Sequence, residues 1–230
     1  MDVIPRIRTA RWVDKDPVAA LIADAMHPSS LGEWLVPDPA ARRRVLAGVA
    51  AIWVEHAMFH GDIQITDDLS ATTVAFHRYR PIAPPANFRS RLDTVAGTHA
   101  PRFAVLDQLL TNQRPFDPHH HLAILAARPD AQRRGLGAAI LTHHETRLDH
   151  INLPAWTETL PDTQDLYLRH KYLPRATLTL PDGPTVTLMY RAPRTARESR
   201  PIAAANPTAA AAPTRAESDT ARSDDSTMTR

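Results

Sequence analysis

The 230-residue chain contains no cysteine. This absence excludes disulfide bonds, a thiolate nucleophile and cysteine-ligated zinc. Lysine is almost as rare, because arginine supplies all of the 27 basic residues except Lys15 and Lys171. Glycine is also sparse, with seven residues in the chain. Two glycines that fall within three positions of each other are therefore a signal in this sequence.

Long apolar runs are missing as well, since no segment reaches the roughly 18 to 20 apolar residues that a membrane-spanning helix needs. The N-terminus has no basic region followed by an apolar run, so no secretory signal is predicted. The net charge is +2, and no basic stripe alternates with aromatic residues as nucleic-acid binding requires. The arginine run at residues 42–44 is typical of a solvated helix face. We expect a cytoplasmic protein without nucleic-acid or membrane partners.

Composition divides the chain into two parts. Hydrophobic residues make up 43% of the sequence, which is enough for one sizeable core. The last segment is rich in Ala, Pro, Thr and Ser, has no aromatic residue, and cannot bury enough apolar surface to offset chain entropy. We therefore predict a folded domain over residues 1–193 and a disordered tail over residues 194–230.

Apolar periodicity and turn residues predict strands and helices along the folded part. In the first half these are a strand at 4–10, helices at 16–26 and 39–60, strands at 62–66 and 71–77, and an insertion at 80–118 with one helix at 104–112. In the second half they are strand 119–127, helix 135–150, strand 154–158, helix 162–172 and a hairpin of strands 176–180 and 186–191. This order predicts an α/β sandwich around a mixed sheet.

The segment at residues 125–141 runs from a strand into a short polar loop that opens a helix. The first N–H groups of a helix have no partner within it and lie at the positive end of its dipole, so they favour an anion. Gly135 and Gly137 let a pyrophosphate approach the backbone, and Arg133 and Arg134 add positive charge. The alternatives are a plain loop with incidental glycines and a Rossmann dinucleotide site, whose acidic residue is missing here.

The order Pro-x-x-Gln-x-x-Gly-x-Gly, from Pro129 to Gly137, resembles the acetyl-CoA signature V-x-P-x-x-[QR]-x-x-G-x-[GA] of the GNAT superfamily of N-acetyltransferases. Ala127 stands where that signature has valine. The resemblance implies a GNAT fold, with a mostly antiparallel central sheet flanked by helices and acetyl-CoA as co-substrate in the cleft after the fourth strand. It also implies contacts to the pantetheine arm and the pyrophosphate from Leu125, Ala126, Ala127, Gln132, Arg133, Arg134, Gly135, Leu136, Gly137 and Ala138.

Acetyl transfer needs a group that protonates the leaving thiolate, and Tyr167 is the candidate. The segment from Leu166 to Tyr172 resembles the L-Y-x-R-x-G-F motif of the GNAT superfamily, with Lys171 at the glycine and Tyr172 at the phenylalanine. The resemblance implies that Tyr167 donates a proton to the sulfur of CoA. Without it, Tyr167 would be interpreted as a helix aromatic packed in the core.

The attacking amine must lose a proton, because an alkyl ammonium with a pKa of about 10 has no lone pair. Glu158, at the end of its predicted strand, and His121 are the candidate bases. Side chains alternate along a strand, so His119 and His121 should share one face and His120 should lie on the other. The alternative for these histidines is a solvated run at a strand start. We predict no metal site, because no paired carboxylates have ligand spacing.

A looser similarity to the puromycin N-acetyltransferase-like members of the superfamily extends over residues 7–193, in the order of Asp38-Pro39, the insertion, the histidine run and the final hairpin. It implies direct acetyl transfer to a primary amine of a small molecule, antibiotic-like or a metabolite, by a monomer or homodimer. Puromycin itself is not carried over, because Phe76-His77 and the histidine run replace aromatic residues of the relatives. The alternatives are an acyl-CoA-binding module without turnover, acetylation of a protein amine, and a histidine metal-binding protein.

Deletion of residues 195–230 should leave folding and activity intact, because this composition cannot contribute packed apolar surface. The measurements are the melting temperature and the turnover of the truncated and full-length chains. A large drop in either quantity would refute the boundary at Pro193.

Overall fold

The computed structural model describes residues 5–198, which form one seven-stranded sheet with helices on both faces. The strands are β1 (Ile7–Thr9), β2 (Gly61–Thr66), β3 (Ala71–Arg78), β4 (His119–Ala127), β5 (Ala155–Thr159), β6 (Leu173–Thr179) and β7 (Thr185–Arg191). The helices are α1 (Lys15–Met26), α2 (Ser30–Leu35), α3 (Pro39–His60), α4 (Phe88–Ala96), α5 (Ala100–Gln113), α6 (Leu136–Ile151), α7 (Gln164–Arg169) and α8 (Arg194–Glu198).

The strands lie in the order β1-β2-β3-β4-β5-β7-β6. β4 and β5 pair in parallel, and every other neighbouring pair is antiparallel. The connection between the two parallel strands contains α6, because parallel neighbours need a long crossover. The mixed, mostly antiparallel sheet predicted above is confirmed, and its parallel pair lies inside the sheet rather than at an edge.

Local sequence signals set some helix boundaries and fail at others. Asp38 caps α3 by accepting a hydrogen bond from Ala40 N at 3.0 Å, and Pro39 occupies the first helical position, as predicted. The insertion, however, contains two helices rather than the single predicted one. α4 is short and buries only Leu92 and Ala96, so its apolar spacing is too weak to predict a helix. The six-residue α2 escapes prediction for the same reason.

The arginine run at residues 42–44 is only partly a solvated face. Arg42 is 7% exposed and donates hydrogen bonds to the carbonyl oxygens of His27, Val36 and Pro37. These carbonyls lie at the ends of α1 and α2, where helical C=O groups lack intrahelical partners. Arg42 therefore ties the corner between α1, α2 and α3 together, whereas the other two arginines of the run are exposed.

The helix predicted at residues 162–172 is too long, because α7 ends before Lys171. Its end is a Schellman turn, in which Tyr172 N donates to Tyr167 O at 3.0 Å and Lys171 N donates to Leu168 O at 3.1 Å. Lys171 has a φ of +68° in this turn. The lysine thus takes the left-handed conformation that a glycine adopts more easily, and the turn that follows Tyr167 is retained.

Apolar side chains cover both faces of the sheet. Val74 and Phe76 of β3 pack with α1 and α3 on one face. Ala75, between them, packs with Leu122 and Tyr167 on the face that α6 and α7 cover, as the alternation of side chains along a strand requires. The central strands are therefore buried on both sides, and a polar side chain on β4 or β5 must find its partner inside the protein.

Residues 194–198, at the start of the predicted tail, form the short helix α8. Thr195 N donates a hydrogen bond to Asn152 Oδ1 at 3.0 Å, at the end of α6. The rest of the predicted tail, residues 199–230, lies outside the described residues. None of the helices within residues 5–198 combines the length and the apolar character needed to cross a membrane.

Burial lowers the pKa of four histidines, His56, His119, His120 and His144. The pKa of His144, which is 1% exposed, falls to about 3, and that of His56 falls to about 4. The main cause is desolvation, which penalises the charged imidazolium more than the neutral ring. These histidines are therefore neutral in the folded protein at neutral pH.

The free energy of unfolding should fall as the pH is lowered from about 6.5 to about 4.5. In this window the four histidines take up protons in the unfolded chain, where their pKa is about 6.5, before they do so in the folded protein. Each one should cost up to about 1.4 kcal/mol of stability per pH unit. Urea denaturation at a series of pH values measures the slope.

His144→Leu removes one titrating group from the core and should make this slope shallower. His150→Leu is the matched control, because His150 is exposed, and it should leave the slope unchanged. Equal slopes in the parent protein and in His144→Leu would contradict a neutral, buried His144.

Candidate active site

β4 and β5 separate soon after they meet. Their parallel pairing covers only residues 120–122 of β4 and residues 155–157 of β5. β4 nevertheless continues to Ala127, and β5 continues to Thr159. The edge of β4 that faces β5 is therefore unpaired with that strand beyond Leu122. We call the opening between residues 123–127 and 158–159 the β4–β5 gap.

A β-bulge in β4 accounts for the gap. Val74 pairs with Ile124 and Ala75 pairs with Leu122, so Ala123 is the extra residue of the bulge. A bulge bends its strand and increases the local twist. This bulge directly follows the last residue of β4 that pairs with β5, so the bend turns β4 away from its parallel neighbour.

The gap is narrow at Leu122, where β4 and β5 still pair, and wide at Ala127. The loop that follows Ala127 lies at this wide end and leaves backbone N–H groups without hydrogen-bond partners in the helix. It ends at Gly135, the N-cap of α6, with a φ of +82°, and Arg133 also has a positive φ of +62°. The first intrahelical bond runs from Ala139 N to Gly135 O at 2.9 Å. The N–H groups of residues 136–138 therefore lie outside the helical ladder, at the positive end of the helix dipole. This arrangement favours an anion.

The residues predicted to contact a cofactor lie in three adjoining pieces: the end of β4 (125–127), the exposed loop (132–135) and the first turn of α6 (136–138). Gln132 Nε2 donates to Ala127 O at 3.1 Å, which holds the loop against the strand. The structure therefore brings all the predicted cofactor residues to one corner, beside the gap.

The two glycines of the loop differ in backbone conformation and in the space around them. Gly135 is in the left-handed region, and a Cβ added there would meet no atom within 4 Å. Gly137 is helical, and its Cβ would lie 3.5 Å from Leu166 Cδ2, which is an ordinary contact. The space outside Gly135 is therefore open, and α7 lies beside the first turn of α6.

Tyr167 lies at the narrow end of the gap. It is 5% exposed, and its hydroxyl lies near the side chain of Thr157. Thr157 pairs with Leu122, the last residue of β4 that pairs with β5. Burial raises the pKa of Tyr167, so its hydroxyl keeps its proton at neutral pH. The ring also packs edge-on against Tyr172, with ring centroids 5.4 Å apart, so Tyr167 belongs to the core and reaches the gap.

His121 and Glu158 are brought together on the other face of the sheet. His121 Nε2 lies 2.8 Å from Glu158 Oε2, and Trp156 Nε1 donates to Glu158 Oε1 at 2.9 Å. Burial alone would raise the pKa of Glu158, but the contacts with His121 and Trp156 outweigh burial and lower it. An ionised carboxylate only accepts hydrogen bonds. In neutral His121 the proton therefore lies on Nε2, and the buried Nδ1, unpartnered within residues 5–198, carries the lone pair.

The histidine run is buried rather than solvated. His119, His120 and His121 are 2%, 2% and 4% exposed, so the alternative of a solvated run is wrong. The rings of His119 and His121 share one face, with centroids 6.5 Å apart, and His120 contacts His144 on the other face, at 4.8 Å. His119 Nδ1 donates to Asp117 O at 2.7 Å, which leaves the lone pair on Nε2. The predicted alternation is confirmed.

Asp62, His77 and His120 form a cluster on the α6 side of the sheet. Their ligand atoms lie within 4.8 Å of one another, an arrangement that is compatible with a metal ion. Burial would raise the pKa of Asp62, but its contacts with His120, His77 and Arg147 lower it. Arg147 Nη1 lies 3.3 Å from Asp62 Oδ1 and competes with any cation for this carboxylate. We therefore describe the cluster as a network of hydrogen bonds and ion pairs.

Two arginines that the sequence patterns do not single out lie on the face of His121. Arg78 is opposite His119 in the register of β3 and β4, and Arg114 follows the last residue of α5. Asp107 of α5 lies near both. These residues are distant in sequence and share no motif. They meet only because the insertion folds over the end of β3, so no sequence signal marks them.

No protein-family model matches the chain. A solved structure described as a histone acetyltransferase and related acetyltransferase from Corynebacterium glutamicum is 20% identical, with a TM-score of 0.64 over 87% of this chain and 100% of that one. A GCN5-related N-acetyltransferase from Rhodopseudomonas palustris is 10% identical (TM-score 0.53, 84% and 98% covered). An arylalkylamine N-acetyltransferase from Aedes aegypti is 14% identical (TM-score 0.52, 81% and 98% covered). The chain therefore has the GNAT fold, as the signature predicts.

Proposed function

We propose that this protein is an N-acetyltransferase that transfers the acetyl group of acetyl-CoA to the primary amine of a small molecule. The β4–β5 gap carries the proposal, because it joins an anion-binding loop at its wide end to buried groups for proton transfer at its narrow end. The GNAT fold supports the proposal, since the structures that share it are described as acetyltransferases.

Acetyl-CoA suits the gap in shape and in charge. Its pyrophosphate binds the N–H groups of residues 136–138, and the exposed Arg133 and Arg134 add positive charge beside it. Its pantetheine arm lies along the unpaired edge of β4 at residues 125–127 and satisfies backbone groups that β5 does not reach. The thioester then comes to the narrow end, beside Tyr167.

The reaction forms a C–N bond and breaks a C–S bond. The amine nitrogen attacks the thioester carbonyl carbon and loses a proton to the lone pair of His121 Nδ1, directly or through water. Glu158 stabilises the imidazolium through its contact with His121 Nε2. The CoA sulfur leaves with the electrons of the C–S bond and takes the proton of the Tyr167 hydroxyl. Both side chains then exchange protons with solvent.

Burial of the proposed base favours a small-molecule amine over a protein amine. His121 is 4% exposed and the side chain of Glu158 is 8% exposed, and the insertion with α4 and α5 packs over this side of the sheet. A short, free amine reaches such a site more easily than a side chain on a protein surface. The sequence similarity to puromycin N-acetyltransferase-like proteins supports the same class of acceptor.

An acyl-CoA-binding module without turnover is the second candidate. Lys171, at the glycine position of the tyrosine motif, favours it in sequence, as does the absence of the family's asparagine near Thr163. The left-handed conformation of Lys171 keeps the turn after Tyr167, which weakens the first of these arguments.

Release of CoA from acetyl-CoA in the presence of amines tests the proposal. Because the chain has no cysteine, a thiol reagent detects only the CoA that is released. The amine panel contains puromycin-like nucleosides, aminoglycosides and amino acids. Binding of acetyl-CoA without release by any amine would favour the binding module, and the absence of binding would refute both candidates.

Gly135→Val should weaken acetyl-CoA binding by at least about a hundredfold, or about 2.7 kcal/mol. The new side chain occupies the space outside the loop, and the positive φ of Gly135 is unfavourable for a β-branched residue. Calorimetry gives the dissociation constant, which we expect in the micromolar range for the parent protein. Gly97→Val is the control and should bind normally, because Gly97 also has a positive φ and an open Cβ position but lies in the insertion, outside the loop. Unchanged affinity in Gly135→Val would show that the loop does not hold the pyrophosphate.

Tyr167→Phe keeps the packed ring and removes the proton. A general acid contributes roughly a hundred- to ten-thousand-fold in rate, so the variant should bind acetyl-CoA normally, melt near the parent and turn over at least about a hundredfold more slowly. Tyr172→Phe is the matched control, because its ring lies in the same cluster, and it should keep most of the turnover. Parental turnover in Tyr167→Phe would exclude Tyr167 as the acid and leave the acetyltransferase proposal standing.

A further inference from the structure

The face of the sheet that carries His121 also carries buried nitrogen atoms without partners. These atoms are Nε of Arg78, Nε of Arg114, Nε2 of His119 and Nδ1 of His121, and none of them makes a hydrogen bond within residues 5–198. Buried polar atoms are almost always hydrogen-bonded in folded proteins, since an unpaired one costs free energy. Unpartnered buried atoms also lie on the α6 face, but there the charged groups pair with one another. On the face of His121, neither Arg78 nor Arg114 has an ion-pair partner within 4.0 Å among the described residues, which indicates a site that suits a polar ligand.

Arg78, His119 and His121 are neighbours in the sheet, and Arg114 lies within electrostatic range of Arg78 and His119. Arg78 lies opposite His119 in the sheet, and its Cζ is 5.7 Å from the ring centre of Phe76, which in turn lies opposite His121. Burial, together with the positive charge of Arg114, lowers the pKa of Arg78 to about 10. The positive charges of the two guanidinium groups therefore oppose each other, on the face that carries the proposed base.

The cluster divides into donors and acceptors. The guanidinium groups of Arg78 and Arg114 only donate hydrogen bonds, and they are positively charged. The imidazoles of His119 and His121 present lone pairs, because their other nitrogens donate to Asp117 O and to Glu158. One part of the cluster therefore suits an anion, and the adjoining part suits an amine.

We propose that the acceptor is an amine that also carries a carboxylate, as an amino acid does, and that Arg78 and Arg114 bind this carboxylate. The inference rests on the acetyltransferase function proposed above and specifies its substrate class. A carboxylate matches the fork of donors on a guanidinium group. Its binding relieves the repulsion between the two arginines and holds the amine near the lone pairs of His119 and His121.

The carboxylates of the protein leave both arginines available. Glu158 is engaged by His121 and Trp156. Asp107 is half-buried, and burial raises its pKa. Among the described residues it forms no ion pair within 4.0 Å with either arginine. The substrate carboxylate is therefore the group that completes the hydrogen bonding of the two guanidinium groups.

Matched pairs of acceptors test the inference. The probes are L-phenylalanine, L-methionine and L-leucine, each compared with its α-amide, which differs only in the carboxylate. Release of CoA gives kcat/KM for each probe, and calorimetry with the CoA-saturated protein gives binding without turnover. We expect the acids to be preferred over the amides by at least about tenfold, as a charge-assisted hydrogen bond to a buried group predicts.

Arg78→Gln and Arg114→Gln should abolish this preference, mainly through a higher KM for the acids. Arg89→Gln removes the same charge from an exposed site on α4, with a side chain that is 74% exposed, and should keep the preference. The α-amine of an amino-acid amide is less basic than that of the free amino acid. This difference is the same for every variant, so it cancels when the acid-to-amide ratio of kcat/KM in a variant is compared with the ratio in the parent protein. Arg78→Lys and Arg114→Lys retain the charge and the stem, and should give intermediate ratios if a glutamine variant does not fold.

Each outcome decides one of the two proposals. CoA release with equal use of acids and amides, or with a preference that survives both arginine substitutions, overturns the carboxylate inference and leaves the acetyltransferase intact. Selective binding of the acids that depends on Arg78 and Arg114, without CoA release by any amine, supports the carboxylate site and overturns the acetyltransferase. If neither acids nor amides bind or react, the carboxylate inference is wrong, and the wider amine panel described above decides the acetyltransferase proposal.

Discussion

The extra residue in β4 is the constraint on which the rest of the candidate site depends. Because Ala123 has no counterpart on β3, β4 bends away from β5 after three paired residues, and the parallel pair opens inside the sheet. The gap exposes a strand edge that a continuous sheet would have paired. The loop of Gly135 lies at its wide end and Tyr167 at its narrow end, so one irregularity in one strand positions both.

The two faces of the gap differ in polarity. The α6 face is largely apolar around Tyr167, and its buried charged groups pair with one another, as Asp62 does with His120 and Arg147. On this face Nδ1 of His120 and Nε2 of His144 have no hydrogen-bond partner among the described residues. The opposite face holds unpartnered nitrogen atoms beside the His121–Glu158 pair. Each unpaired group opposes folding by about 1–3 kcal/mol, so the apolar clusters on both faces must offset it. Such a cost is typical of a binding site, where the ligand supplies the missing partner.

Strong local signals predicted most of the fold. These signals are the proline and glycine of the loop, the cap at Asp38, and the periodicity of α3, β4 and α6. Each depends only on nearby residues, and the structure has them where expected. The failures have physical reasons as well. α4 buries only two side chains, and α7 ends early because its last turn is closed by Lys171 in a left-handed conformation. Neither effect leaves a clear periodic pattern.

By itself, the sequence determined the order of the strands and of the helices other than α2, α4 and α8, the glycine loop at the start of a helix, and the alternation that separates His120 from His119 and His121. These properties follow from backbone geometry and local hydrogen bonds. Only the tertiary structure decided which groups meet: Tyr167 with Thr157, His121 with Glu158, and the arginines of β3 and the insertion beside the histidines. Such contacts join distant segments, and their burial, which sets their pKa values, exists only once the core has packed.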